Sequence, residues 1–249
     1  EVEARAAERF DPMTAASISS GEDVDGTPAP GSILVRAAPS RFVTEADAER
    51  FRSQRVDVRD IPGAAHSVWY SHFDEFCAML PEYRRFGLLA VTVGLQGGGS
   101  IYTPEVYPHY LNSAFTVEGD LKPAYFDRLA RILKAADETG MAVIVNYFYW
   151  RQLEKLRGEQ AIVRAAEAAT DWLLRSGHRN ILIDVYNEFT AGDRIVQSER
   201  IHELIDIVQQ TTVQGRRLLA SASIMPGHAQ APGRWQELQD YYLPHGNSF

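Results

Sequence analysis

The sequence predicts an α/β protein built on a parallel sheet, with a (β/α)8 barrel favoured over an open doubly wound sheet. Three observations carry this. A unit of amphipathic helix, glycine, apolar run and polar loop recurs, with apolar runs starting near residues 88, 141, 180, 217 and 240. Helices alternating with strands through short returns give parallel sheets covered by helices. Polar or aromatic residues close one run after another, where barrels place their chemistry. The motifs of nucleotide-binding open sheets are missing: no G-x-G-x-x-G lies between a strand and a helix, and no G-K-[ST] occurs. The triplet Gly97-Gly98-Gly99 has no following lysine and reads as a turn.

Residues 1–31 read as a tail or linker. Their second half is rich in Ser, Gly, Asp and Pro and has no periodicity. Residues 32–37 (SILVRA) form a short first strand. Residues 44–55 begin with helix-start chemistry, Thr44 with Asp47 three positions on. Residues 59–67, with Pro62 and Gly63, read as a loop. Residues 71–85 are amphipathic, with Phe73, Phe76, Cys77, Leu80 and Tyr83 at helical spacing and Gly87 as the stop. A strand over 88–95 leads to Gln96. Residues 100–116 then form a long loop whose aromatic side chains (Tyr102, Tyr107, His109, Tyr110) suit a binding wall. A helix over 122–139 carries Pro123 in its first turn, where proline is tolerated, and stops at Gly140. A strand over 141–147 follows, then a helix over 159–176 closed by Gly177. The strand 180–186 is next, then a helix over 198–210 and a strand over 217–221. Residues 235–238 make a short helix at most, and 240–243 begin a sixth strand.

Composition narrows the function. With 45% hydrophobic and 23% charged residues among 249, a core of ordinary size is expected. A net charge of −8 and the lack of a Lys/Arg run argue against nucleic acid as a partner and leave neutral substrates open. No apolar run approaches the ~20 residues of a membrane span. Cys77, the one cysteine, reads as packed core. The seven histidines are scattered without H-x-H or H-E-x-x-H spacing, so no metal or other cofactor is expected. The chain begins at Glu1 without a methionine, and no signal peptide is visible.

The most informative stretch is NILIDVYNEFT, residues 180–190. It reads as a buried strand, ILIDVY, ending in the pair Asn187-Glu188. The other strand ends add Gln96, then Asn146, Tyr147, Tyr149 and Trp150, then Ser221 and Ser223, then His245 and Asn247. Amides, hydroxyls and aromatic faces thus surround one carboxylic acid, with no cluster of cations. Amides and hydroxyls bond sugar hydroxyls, and aromatic faces stack on a pyranose, so the ring suits a carbohydrate substrate. Strict alternation would send Asn187 and Glu188 to opposite faces. Their joint use therefore predicts a bulge or bend at this strand end. Asp184 shares a face with Glu188 but lies about 13 Å deeper, at strand rise. It reads as an interior carboxylate needing a partner such as an arginine.

LIDVYNEF resembles the fourth strand of the cellulase-type glycoside hydrolases, a large (β/α)8 superfamily. GLLAVTVGLQGGG, LKPAYFDRLARILKAADETGMAVIV and LPHGN are similar to bacterial members of that group, and the resemblance spans roughly residues 71–249. It implies a retaining glycosidase with Glu188 as general acid/base. Asn187 would bond the sugar 2-hydroxyl, and His245 would stand near the nucleophile. Gln96, Asn146, Tyr149, Trp150 and Asn247 complete the expected substrate-binding set. The third strand departs from the group's common pattern, carrying Asn146-Tyr147 where a histidine is frequent.

In that family the nucleophile is a glutamate ending the seventh strand. It is therefore expected beyond Phe249, with residues 32–249 forming about six of eight β/α units, a partial catalytic domain inactive alone. The resemblance also implies a secreted or periplasmic location. The alternative is a non-catalytic carbohydrate-binding barrel or an inactive remnant of a glycosidase. A metal-dependent barrel enzyme ranks third, because its ligands are not clustered.

Overall fold

Two parallel ladders organise the chain. The computed structural model describes residues 33–38, 45–53, 55, 57–62, 73–97, 112–188, 194–223 and 233–243. The first ladder pairs β1 (Ile33–Ala38) with β2 (Asp57–Pro62), in register from Ile33 opposite Asp57 to Ala38 opposite Pro62. Helix α1 (Glu45–Ser53) connects them and packs on β2. β2 corrects the sequence reading, which took residues 59–67 as a loop. Pro62 is the last residue of the strand, a position that tolerates a missing N–H. The tail read at 1–31 lies outside the described residues, as do 63–67.

The second ladder is a four-stranded parallel sheet. Its strands are β3 (Ala90–Gly94), β6 (Ala142–Phe148), β7 (Ile181–Tyr186) and β8 (Leu219–Ser221), and they lie side by side in that order. A short antiparallel pair, β4 (Gln96–Gly97) with β5 (Asn112–Ser113), follows β3. The helices are α2 (Phe73–Arg85), α3 (Pro123–Glu138), the single turn α4 (Trp150–Leu153), α5 (Gly158–Arg175), α6 (Ile201–Gln210) and the single turn α7 (Trp235–Leu238). The result is a mixed α/β fold.

The helices stack in the same sequence as the strands. Asp74 of α2 pairs with Arg131 of α3. Phe126 of α3 meets Trp172 of α5 edge to face at 4.9 Å. Glu159 of α5 reaches Arg200, the N-cap of α6, at 2.5 Å. Beneath this layer the helix-facing positions Val143, Val145, Ile183, Val185 and Ala220 are fully buried. Tyr147 joins them, its hydroxyl 2.8 Å from Thr170 Oγ1 on α5. The other sheet face carries the register row Gly94, Asn146, Asp184 and Ser221. One layer deeper on that face, Thr92 is exposed and Ile144, Leu182 and Leu219 are half-buried. Among the described residues no helix is long and apolar enough to cross a membrane.

Residues 240–243 do not form the sixth strand that their sequence suggests. Asp240 instead bonds to the edge of β8 that no described strand pairs with. Its N–H donates to Ala220 O at 2.9 Å, and its carboxylate accepts the Ala220 N–H at 2.9 Å. A side chain thus takes the donor that a neighbouring strand's carbonyl would have used. Arg217 grips the same carboxylate with both terminal nitrogens at 2.7 and 2.8 Å, and Gln209 Nε2 adds a bond at 3.0 Å.

Burial pushes the Asp240 carboxyl up, but the Arg217 fork, the Ala220 N–H and the Gln209 amide outweigh it and hold the group below the usual carboxylate range. The folded-state value therefore lies below the unfolded one. The stabilisation is complete above the unfolded carboxylate pKa of about 4 and is lost as pH falls through the folded value. Asp240→Asn should cost about 2 kcal/mol near neutral pH. Urea unfolding near neutrality and in acid checks this: the gap to wild type should narrow in acid, and a gap of equal size in both would contradict it.

One glycine fixes a loop against the helix layer. Gly119 has φ +87°, and a Cβ there would stand 2.1 Å from Ala161 O of α5. Both the left-handed backbone and the close approach demand glycine.

Candidate active site

The C-terminal edge of the second sheet gathers the polar strand ends, and its centre is Asp184. This carboxylate is fully buried. Asn146 Nδ2 donates to its Oδ2 at 3.0 Å. The backbone N–H groups of Ser223 and Tyr186 donate to its Oδ1 at 2.8 and 3.3 Å. The interior position matches the sequence reading. Its partners among the described residues include an amide and two peptide groups. A carboxylate buried in this way remains tolerable because donors replace the water it has lost.

Above Asp184 the strand turns. β7 ends at Tyr186, Asn187 N–H donates to Phe148 O at 3.0 Å, and Glu188 takes a left-handed backbone with φ 54°. This is the irregularity that the alternation argument demands. Arg55 and Gln214 share the sign of φ, so the sign alone marks nothing. What distinguishes Glu188 is how it is held. Its N–H donates to Ser223 Oγ at 2.8 Å, and that hydroxyl donates onward to Tyr186 O at 3.2 Å. Ser223 follows β8, and Asp184 anchors its own backbone. The pose of Glu188 is thus set by the neighbouring strand end, through a hydroxyl that Asp184 fixes in place. A non-glycine residue in this region carries a conformational cost of order 1 kcal/mol, which persists only where surrounding bonds over-determine it. Asn187 and Glu188 are both half-buried, neither sealed in the core nor fully in solvent.

Two of the expected sugar-binding amides are turned inward. Asn146 is 3% exposed and spends its amide on Asp184, with a further bond to Asp184 O at 3.4 Å. Gln96 is 3% exposed as well. Its Oε1 accepts the Tyr149 N–H at 3.1 Å, and its Nε2 donates to Ser113 Oγ and Gln152 O, both at 3.3 Å. These bonds make Gln96 a brace between two strand ends. Tyr149 is half-buried and caps α4, which Trp150 opens; the Trp150 side chain lies outside the description. His245 and Asn247 lie outside the described residues. The structure therefore brings Gln96, Asn146, Tyr149, Asn187 and Glu188 to one edge.

Sequence reading passed over Tyr241. Its hydroxyl donates to Ile183 O at 2.8 Å. Burial, and then the negative charge of Asp184, hold that hydroxyl well above its ordinary pKa, so it stays a neutral donor. The reading also passed over a cavity of about 230 Å³ beside Gln96, lined among others by Phe115, Leu156, Lys122 and Lys155. Among the described residues no group of three or more His, Cys, Asp or Glu is placed to hold a metal ion.

No family model matches the sequence, and no curated protein does. Solved structures with partial similarity include glycoside hydrolases of family 5, the cellulase-type group. A family 5 structure from Bacteroides vulgatus ATCC 8482 shares 15% identity at a TM-score of 0.47, covering 62% of this chain and 33% of its own. A GH5-4 broad specificity endoglucanase from an uncultured bovine rumen ciliate shares 13% identity at a TM-score of 0.41, covering 59% and 40%. A family 5 enzyme from Prevotella bryantii B14 shares 14% at a TM-score of 0.40, covering 59% and 44%. The chain spans between a third and under half of the length of these structures. Agreement of this extent leaves function to be argued from the site.

Proposed function

We propose that this chain is part of a retaining glycoside hydrolase and that Glu188 is its general acid/base. The observation that carries the reading is the bent end of β7. An amide and a carboxylic acid are held side by side at the C-terminal edge of a parallel sheet, with the acid in a left-handed backbone tied to the next strand by Ser223. In this reading the four parallel strands are an arc of a (β/α)8 barrel, within a catalytic domain that includes residues 32–249. The unbroken strand order and the matching helix order support the arc, since same-handed crossovers applied successively curl a sheet in one direction. The face carrying Asp184 is then the barrel interior.

Glu188 protonates the leaving glycosidic oxygen and then, as carboxylate, activates water. Asn187 bonds the 2-hydroxyl of the sugar, a contact that strengthens in the transition state. Tyr149 and Trp150 flank the sugar, and His245 and Asn247 belong to the same ring. Gln96 and Asn146 act from behind, holding the strand ends at which those groups stand. Retention requires a second carboxyl group about 5–5.5 Å from the first. Asp184 is not that group: its oxygens are engaged by interior donors, four residues back along β7. The nucleophile is assigned to a glutamate beyond Phe249, as the sequence resemblance implies.

The test is hydrolysis of soluble glucan and xylan oligosaccharides by the natural-length protein, with the first-formed anomer followed by proton NMR. Release of the anomer matching the substrate is expected. Inverted product would refute the mechanism. Binding without hydrolysis would establish the non-catalytic carbohydrate-binding reading instead.

A further inference from the structure

We infer that the cavity beside Gln96 is a subsite for a sugar unit bearing a carboxylate, a uronic acid ring within the glycan. The first observation lies in the charge inventory. The chain holds 25 Lys and Arg residues, of which only Lys122, Lys134 and Lys155 are lysines. Two of those three line this one cavity. Lysine offers a compact, strongly hydrated point charge, whereas arginine offers a planar fork committed to fixed geometry. Several described arginines serve such forks, as Arg217 does on Asp240 and Arg200 on Glu203. Two nearby carboxylates are already engaged: Glu118 pairs with Arg157 at 2.9 Å, and Asp120 pairs with Arg164. Lys122 Nζ donates one bond, to Ser113 O at 3.0 Å, and an ammonium has two further protons to give. In a chain of net charge −8, the charged residues lining this cavity are two lysines.

The second observation is the shape and place of the cavity. At about 230 Å³ it is smaller than the usual drug-sized pocket of roughly 300–1,000 Å³ and has room for about one sugar ring. Phe115 and Leu156 line it with apolar surface that suits the C–H face of a ring, and Lys122 and Lys155 line it too, supplying the charge that a carboxylate on that ring requires. Its polar wall is rigid, because Gln96 is bonded at both ends of its amide. Gln96 follows β3, and Glu188 follows β7, two strand spacings or about 10 Å across the same edge. That separation corresponds to about two sugar units, so a glycan lying along the edge would reach both places. The proposal rests on the glycosidase reading of Glu188 for its choice of a sugar over another small carboxylate.

The experiment is amide-detected NMR titration of the protein at its natural length with sodium glucuronate, glucose and sodium acetate, each at about 20 and about 200 mM salt. Glucuronate should shift the Phe115, Gln152 and Lys155 signals at concentrations at least about fivefold below glucose and acetate, with the preference shrinking at high salt. The double substitution Lys122→Gln with Lys155→Gln should abolish the preference, and Lys134→Gln should leave it intact. Equal response to glucuronate and glucose, acetate matching glucuronate, or no effect of the double substitution would each overturn the proposal. A parallel titration with neutral cellotetraose separates the two ideas. Shifts at Asn187 and Glu188 without a glucuronate preference keep the glycosidase reading and remove the acidic subsite. A glucuronate preference without shifts at Asn187 and Glu188 from any oligosaccharide keeps the subsite and removes the glycosidase reading.

Discussion

Glu188→Ala, in the protein at its natural length, is expected to lower kcat/KM for an unactivated glycoside by roughly a thousandfold while barely changing kcat/KM for a dinitrophenyl glycoside. A positioned acid contributes about 10²–10⁴ in rate by delivering a proton to the leaving oxygen as its bond breaks. A dinitrophenolate leaves without that proton, so its departure does not miss the acid. Water attack in the second step still needs a base, so the covalent intermediate should accumulate, and added azide, which needs no base, should speed turnover. Steady-state kinetics on the two substrates, with and without azide, read all three effects. Equal losses on both substrates would remove Glu188 from the acid/base role. Ser223→Ala tests how the acid is held: it deletes the acceptor of the Glu188 N–H and leaves the carboxyl in place. Its loss should be smaller, roughly tenfold, and should fall on the same acid-dependent step, because aim rather than chemistry is removed.

Asp184→Ala should be the most damaging change to stability at this edge, costing about 3–5 kcal/mol and lowering the melting temperature by roughly 10 °C. The carboxylate receives the Asn146 amide and two peptide N–H groups at a site with no solvent access. Removing it leaves those donors buried without their acceptor, at roughly 1–3 kcal/mol each before relaxation. Asp184→Asn keeps one carbonyl acceptor and should lose about half as much. Urea unfolding monitored by circular dichroism decides the matter. A loss under about 1 kcal/mol for the alanine variant would show that water or a neighbour takes over, and that Asp184 does not organise the edge.

Four strands were legible because each is a long apolar run bracketed by glycine and polar residues. The runs read near 88, 141, 180 and 217 begin in the structure at Ala90, Ala142, Ile181 and Leu219. β2 was not legible, since DVRDIP offers few apolar residues and ends in proline, which reads locally as a turn. The stretch at Asp240 fails for the opposite reason: Tyr241, Tyr242 and Leu243 favour a strand, but the competing bond from Asp240 to Ala220 N–H is a tertiary fact. The bend at Asn187-Glu188 followed from alternation together with the expected joint use of the two side chains. The inward commitment of Gln96 and Asn146 did not, because an amide at a strand end looks the same in sequence whether it faces a ligand or braces a neighbour. The lysines at the cavity left a trace only in their rarity.

The tie between Glu188 and Ser223 also bears on when the site comes into being. The two residues are 35 positions apart in the chain. On a ribosome, Glu188 is therefore synthesised and clear of the exit tunnel well before the hydroxyl that shapes its backbone is available. Until α6 has docked and β8 has been laid beside β7, Glu188 is free to relax to an ordinary extended conformation and points elsewhere. The acid is armed by a later part of the chain, so an unfinished or partly folded molecule carries the carboxylate without its working pose.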